Sequence, residues 1–419
     1  MTSSAPHTPA TPGKGGQLPI PFVEFVALIA GAMALTALSI DLMLPALPLI
    51  AESLHIANPN DRQLIISSFT LGIGLGALVY GPLSDRFGRK PVLCVSIAFF
   101  LIASLLCTFA PTFEIMLAGR FAAGLFIASN RVVTVSIVRD GFSGDAMARV
   151  MSLIFIMFMI VPVVAPSIGQ LLLMVAPWRA IFGLLTLFAG LLLVWALVRL
   201  PETLKPEHRT GIRVVDLMET FRRVMTHRIS LGHTLAGGVI GASITAFILS
   251  IQQILFDVFH AGDSFALLFA GIAMWMALGS YCNSRFVRRF GARRMSRFAL
   301  LLFIGVAALR SLIAGTGHET LLTFGVGHAA SMFFLSMIGS NLNAVAMEPF
   351  ARGAGFASSA QTFLNMTLSV LLGAFVGAQF NGTTLPLTLG YLGFGVGAVL
   401  LILWAEKGRL FAEPRIEEV

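Results

Sequence analysis

The sequence predicts an all-α membrane protein of twelve spanning helices arranged as two six-helix bundles, with both termini in the cytoplasm. Three observations carry that prediction. First, 57% of the 419 residues are hydrophobic and only 11% are charged, against roughly 45–50% and about 25% in an ordinary soluble domain. A mean hydropathy of +0.88 exceeds what one oversized core could absorb, so apolar side chains must face lipid. Second, the apolar residues fall into runs of about 20, the length a membrane helix needs. Third, the basic residues collect on alternate connections between those runs, as the positive-inside bias requires.

In chain order, windows of about 19 residues place spans at 22–50, 63–82, 91–110, 113–137, 150–174, 179–200, 229–255, 264–284, 298–316, 319–343, 355–380 and 384–404. Residues 1–20, rich in Ser, Thr, Pro and Gly, read as a disordered N-terminal tail and not as a cleaved signal. Residues 21–200 form the first bundle and 229–405 the second. Between them, 201–228 is the longest polar stretch, amphipathic from Val214 to Val224, and reads as a cytoplasmic linker. Residues 406–419 form a cytoplasmic C-terminal tail.

Arg62 and Arg179 fall in outer loops and Arg120, Arg131 and Arg310 within spans, while the other basic residues lie on the inner side. The net charge of +8 therefore reports topology, and no nucleic-acid partner is expected. Cys94, Cys107 and Cys282 sit in apolar runs with no metal-ligand spacing, so neither a metal site nor a disulfide is expected. No phosphate-binding G-x-x-x-x-G-K-[ST] loop, zinc-protease H-E-x-x-H or G-x-S-x-G elbow occurs. Neither an enzyme nor an ATP-driven pump is expected, and no cofactor.

The two halves echo each other. LSDRFGRKPV at 83–92 follows the second span, and FVRRFGARRM at 286–295 follows the eighth. Duplication of a six-helix unit is a mark of secondary transporters, whose halves rock about a central site. One chain then supplies a whole carrier, so a monomer is expected, with a small-molecule substrate, protons and the bilayer as its partners.

Several segments together resemble one family. GPLSDRFGRKPVL at 81–93 has the Gly, Asp, Arg, Gly, Arg and Lys spacing of the major facilitator superfamily loop signature. LSIDLMLPALP at 38–48, centred on Asp41, resembles the first-span signature of drug-exporting antiporters. GRFAAGLFIASNRVVTVSIVRD at 119–140 resembles the fourth-span motif, with Arg120, Arg139 and Asp140. MARVMSLIFIMFMIVPVVAPSIGQ at 147–170 is similar to the fifth span of the Bcr/CflA type of bacterial drug:proton antiporters, keeping Pro166 and Gly169 but carrying Ala165 and Gln170 where that pattern has glycines. The resemblance implies the major facilitator fold, residence in the bacterial cytoplasmic (inner) membrane, and proton-coupled export of small drug-like molecules. A proton symporter importing a metabolite is the alternative, with a channel or membrane-embedded enzyme behind it.

Asp41 is the only ionisable residue between Glu24 and Glu52. A carboxylate within a span costs about 2.5–3.5 kcal/mol on an insertion scale, and a group that sheds that cost by taking up a proton suits proton coupling. The competing reading leaves it wet at the outer helix end or permanently paired with a cation. Arg120 is the candidate counter-charge. Arg120, Gly124, Ala128 and Arg131 recur at steps of three and four, placing them on one helix face, read as the wall of the central cavity. Arg131 either lines the inner mouth or snorkels to lipid phosphates.

Gly81, Asp85, Arg86, Gly88, Arg89 and Lys90, with Asp140, form a candidate conformational latch. The resemblance implies that Asp85 meets the inner end of the eleventh span and Arg89 meets Asp140, holding the outward-open state and parting when the bundle rocks inward. A role in setting topology alone is the other reading. Pro162, Pro166 and Gly169 should bend the fifth span and let it pack closely. Gly72 with Gly76, Gly373 with Gly377 and Gly393 with Gly397 have the spacing of close helix contacts. Gln252, Gln253, Asp257, Asn341, Asn343, His233 and His328 are further polar residues within or beside spans of the second half, and Arg310 lies deep in the ninth span without a partner legible in the sequence.

Overall fold

The computed structural model describes residues 19–209, 214–350 and 354–411. The N-terminal tail assigned to 1–20 and the C-terminal tail assigned to 406–419 lie mostly outside them, as do 210–213 of the linker. Every regular element among the described residues is helical.

The first half contains α1 (Phe22–Asp41), the short α2 (Leu47–Ser53), α3 (Leu64–Phe87), α4 (Arg89–Thr108), α5 (Phe113–Gly141), α6 (Gly144–Val175) and α7 (Arg179–Arg199). The amphipathic α8 (Val214–Thr226) follows. The second half contains α9 (Arg228–Gln253), α10 (Phe265–Phe290), α11 (Ala292–Gly315), α12 (Leu321–Met347), α13 (Ala354–Ala378) and α14 (Leu385–Ala405). Among the described residues eleven helical stretches are long and apolar enough to cross a membrane, and a shorter one, Ile160–Val175, lies in the 32-residue α6. Together they make the twelve spans.

Local chemistry explains most of the ends. α1 starts after Pro21, and beyond Asp41 the chain passes through a 3-10 turn at Leu44–Ala46 that carries Pro45. That break divides the first apolar run, which the hydropathy window reads as one span. Thr112 caps α5 by accepting from the Ile115 amide, and Thr320 caps α12 reciprocally with Thr323. Gly88 (φ 102°) separates α3 from α4 and Gly291 (φ 78°) separates α10 from α11, conformations that a residue with a Cβ rarely adopts. Several helices extend further on the basic side than the apolar windows do, α11 starting at Ala292 and not at 298. A window counts Arg against a span, whereas a helix carries its Arg into the headgroup layer.

Within the first half α3 packs along α5, α4 lies against α5 and α7, and α1 against α6. In the second, α9 lies against α13 and α14, and α12 against α10 and α11. Across the halves α3 meets α13 and α6 meets α10. The α3–α5 seam is a backbone contact. A Cβ on Gly124 would stand 1.9 Å from the Phe69 carbonyl oxygen, one on Gly72 2.3 Å from the Phe121 oxygen, and one on Gly76 2.4 Å from the Leu125 oxygen.

For Gly124 and Ala128 this corrects the reading of the Arg120–Gly124–Ala128–Arg131 face as a cavity wall, because these small residues are spent on the seam. Gly373 and Gly377 are also close contacts, against Thr245 and Gln63, whereas nothing lies within 4 Å of a Cβ on Gly393. Gly124→Ala must push α3 and α5 apart. We expect it to destabilise the protein by about 1–3 kcal/mol, the usual penalty of overpacking, seen as a lower melting temperature in detergent.

Candidate functional site

Asp41 ends α1 and is 5% exposed. Among the described residues its carboxylate forms no ion pair and no hydrogen bond. It is therefore not a wet helix end, and it has no permanent cation. α6 closes on the turn that follows it: a Cβ on Gly169 would lie 2.2 Å from the Leu42 carbonyl oxygen and 3.2 Å from Pro45 Cγ. Pro162 and Pro166 lie inside α6, which remains helical through both.

Arg120 does not pair with Asp41. The guanidinium, 1% exposed, donates from Nη2 to the Ser39 carbonyl at 2.9 Å and from Nε to the Ile65 carbonyl at 3.2 Å, and lies 4.0 Å over the Phe69 ring. The expected counter-charge is thus held by α1 and α3 backbone two residues before Asp41. Asn130, passed over in the sequence, makes a second tie by donating to the Ala32 carbonyl at 2.6 Å. These two bonds join α5 to the middle of α1 and to its last turn. Arg131, one residue on, is exposed although mid-span. By helical spacing it faces away from Phe126, whose ring stacks on the exposed Phe99.

The loop motif forms a compact charged knot. Arg89 donates from Nε to Asp140 at 2.9 Å, and from Nη1 to Asp85 at 2.5 Å and to Ser84 Oγ at 2.7 Å. Its amide donates to Glu202 Oε1 at 3.0 Å. A Cβ on Gly88 would sit 2.3 Å from Glu202 Oε2, so the glycine also makes room for that acid. Lys90 Nζ caps the Leu197 carbonyl at 2.8 Å, and Arg86 is exposed, its guanidinium 5.2 Å over the Phe87 ring. Asp85 pairs inside its own half, while residues 351–353, just before the eleventh span, lie outside the described residues. Gly81 is where this segment meets the other half, a Cβ there lying 3.2 Å from Ser359 Oγ.

The sequence reading missed Glu202, whose signal is an acid immediately after the sixth span. Its counterpart after the twelfth is Glu406, which accepts from Arg297 at 3.0 Å, pairs with Arg293 at 3.4 Å and faces His233 Nε2 at 3.6 Å. The internal repeat therefore extends from the loops to the acids that hold them.

At the opposite end, hydrogen bonds cross between the halves. Arg62 Nη2 meets Asp257 Oδ2 at 2.8 Å. Gln63 donates to Gln253 Oε1 at 2.5 Å and to the Gly377 carbonyl at 3.1 Å. Gln253 donates to Asn60 Oδ1 at 2.8 Å, and Asn60 to the carbonyls of Ala378 and Phe380, each at 3.1 Å. Gln170, the departure from the fifth-span glycine pattern, donates to the Gly262 carbonyl at 3.3 Å. The outer ends are bridged while the Arg89 knot is intact, which corrects the expectation that the knot parts when the outer side closes.

Asp257 is half exposed (49%), so its pair with Arg62 contributes about 1 kcal/mol at most, a factor of about 5 in a two-state population. Arg62→Ala should raise outside labelling of a cysteine at position 378 by a membrane-impermeant maleimide about fivefold, in a background lacking the three free cysteines.

Comparison with known proteins agrees with this architecture. Residues 29–374 match the model of the Major Facilitator Superfamily. The chain is 28% identical over 381 residues to a bicyclomycin resistance protein homolog of Haemophilus influenzae, covering 90% of this chain and 94% of that one. It is 28% identical over 384 residues to the multidrug resistance protein MdtL of Escherichia coli O45:K1, covering 88% and 92%.

Among solved structures, the human organic anion transporter MFSD10 superposes with a TM-score of 0.65 at 17% identity, covering 92% of this chain and 100% of that one. A bacterial homologue of the human lysosomal transporter Spinster, inward-facing and unoccupied, gives 0.62 at 15%, covering 92% and 95%. At those identities the two structures speak to the fold alone. This chain belongs to the Major Facilitator Superfamily, beside bacterial bicyclomycin- and multidrug-resistance proteins, and is a multi-pass membrane transporter, not an enzyme.

Proposed function

We propose that this protein is a proton-coupled exporter of small drug-like molecules, exchanging protons for cargo across the cytoplasmic membrane. The observation that carries the reading is Asp41, buried within the first span at the end of α1 with no ion pair or hydrogen bond among the described residues. A membrane acid without a structural partner is functional by default. The names of the relatives, bicyclomycin and multidrug resistance, support the class of cargo.

In this mechanism Asp41 carries the proton. Arg120 fixes the end of α1 through the Ser39 carbonyl, while Arg131 meets cargo in the space between the halves. Cargo favours the deprotonated carboxylate, and by reciprocity a proton arriving from outside favours cargo release. Asp85, Arg86, Arg89, Lys90 and Asp140, with Gly81 and Gly88, keep the inner end of the first half rigid. Pro162, Pro166 and Gly169 let α6 follow the turn after Asp41. The moving bodies are the bundles 21–200 and 229–405 of a single chain, joined by the linker 201–228.

The test is transport by purified protein in liposomes with an imposed proton gradient, using labelled antibiotics and dyes that include bicyclomycin and ethidium. Movement of a compound against protons, lost in Asp41→Asn, is the expected result. Movement in the direction of protons would make the protein a symporter and overturn the proposal.

A further inference from the structure

Of the three arginines within spans, Arg120 and Arg310 are buried and Arg131 is exposed. The Arg131 side chain forms no ion pair and no hydrogen bond among the described residues. Its three preceding neighbours fix its direction. Ala128 is where Gly76 of α3 packs, the Ser129 hydroxyl meets that of Ser96 on α4, and Asn130 donates to the Ala32 carbonyl of α1 at 2.6 Å. One further helical step of about 100° turns Arg131 into the gap between α1 and α3, on the side of α5 opposite α4.

A cation in mid-span faces lipid only at high cost, and this one is surrounded by protein although accessible. The space it faces is therefore an aqueous recess inside the molecule. On the same line of α5, Ile127 one turn outward is buried, whereas Val135 one turn inward is half-buried and Arg139 beyond it is exposed. Arg131 thus stands at the closed end of a recess that opens inward.

The second half supplies the matching wall. A Cβ on Gly279 of α10 would run into the Phe333 carbonyl and the Ser336 hydroxyl of α12, as one on Gly76 would into the Leu125 carbonyl and Ala128. Leu125 and Phe333, and Ala128 and Ser336, therefore correspond, and the same offset carries Arg131 to Gly339 and Val135 to Asn343. Both second-half residues are exposed. They lie between the line of His328, which stacks 4.1 Å from Phe247 of α9, and the line of Ser336, which meets α10. Nothing stands within 4 Å of a Cβ on Gly339, so the wall is recessed there. One turn further inward, the Asn343 amide makes no hydrogen bond among the described residues.

We propose that Arg131 and Asn343 form the cargo-recognition subsite, and that the cargo it selects is a drug-like molecule bearing a carboxylate. A guanidinium holds a carboxylate by two parallel, charge-assisted hydrogen bonds, Asn343 donates to the same cargo from the opposite wall, and the space at Gly339 admits its body. Arg131 is level with Ala32, about 14 Å along α1 from Asp41, so the cargo carboxylate and the proton carrier do not share a site. The assignment rests on the export reading above for what the subsite serves.

The test is equilibrium dialysis of the purified protein in detergent against norfloxacin and nalidixic acid, each beside its ethyl ester, with no gradient imposed. Each acid is expected to bind saturably and about tenfold or more tighter than its ester, the effect of hydrogen bonds to a charged group. Arg131→Gln should abolish that preference, Arg131→Lys keep part of it, and Asn343→Ala weaken binding of both acids several-fold. Should Arg131→Gln fail to fold, protection of wild-type Arg131 from phenylglyoxal by norfloxacin, read by peptide mass, supplies the answer. No binding of either acid, acids bound no tighter than their esters, a preference kept in Arg131→Gln, or labelling of Arg131 unchanged by bound norfloxacin would each overturn the assignment. A symporter would still show the acid preference and an exporter of cations would not, so this result and the direction of transport fail separately.

Discussion

Asp41→Asn is expected to reduce proton-driven export to the level of protein-free liposomes while leaving the protein as stable as before, or more so. Asn keeps the size and most of the polarity of Asp but cannot exchange a proton, so a carrier built on this carboxyl loses its coupling. The stability follows from the geometry. The carboxylate is 5% exposed and joined to no cation or donor among the described residues, so its charge is a net cost to the folded state and removing it relieves that cost. Activity and stability moving apart is the signature of a functional group held against its own solvation. Transport assays paired with thermal melts in detergent would show it, and a large loss of stability would instead mark Asp41 as a structural residue.

Arg89→Ala is expected to do the reverse. The side chain is 4% exposed and joins Asp140, 18% exposed, to Asp85, 45% exposed. Removing one partner of a buried pair typically costs about 3–5 kcal/mol, and the exposure of Asp85 argues for the lower end. Ser84 Oγ and Asp140 would lose their donor, and the Glu202 bond to the position-89 amide would lose its rigid neighbour. A sharply lower melting temperature and faster proteolysis at the inner loops are expected. Arg89→Lys should rescue little, because an ammonium cannot present the fork that reaches both acids and the hydroxyl. If Arg89→Ala melted like the wild type, the motif would be no more than a topology signal.

The spans were legible because lipid imposes one rule along the whole chain, and a run such as 179–200 has one way to satisfy it. Their ends were less legible. Pro45 breaks the first run just past Asp41, and the arginines of α11 ride on helix where a hydropathy window stops. The helical period placed Arg120, Gly124, Ala128 and Arg131 on one face but could not say what that face meets. The absence of a Cβ at Gly124 serves the Phe69 backbone, which only the packed structure reveals. Asp41 stood out as the lone acid of its run, whereas Arg120 binding the Ser39 carbonyl and not the carboxylate is set by how α5 sits against α1. The outer bridges join Arg62 to Asp257 and Asn60 to Gln253, residues on different halves whose pairing leaves no local pattern. Glu202 and Glu406 left a faint one, an acid just past the last span of each half.

The central claim is that cargo and proton compete at Asp41, and the most direct measurement is proton release on cargo binding. Detergent-solubilised protein in weakly buffered solution, with a pH-sensitive dye, would receive bicyclomycin or ethidium in the absence of any gradient. The account predicts acidification on adding a transported compound, saturating with binding and absent in Asp41→Asn. Equal release from Asp41→Asn, or binding with no release from the wild type, would contradict it.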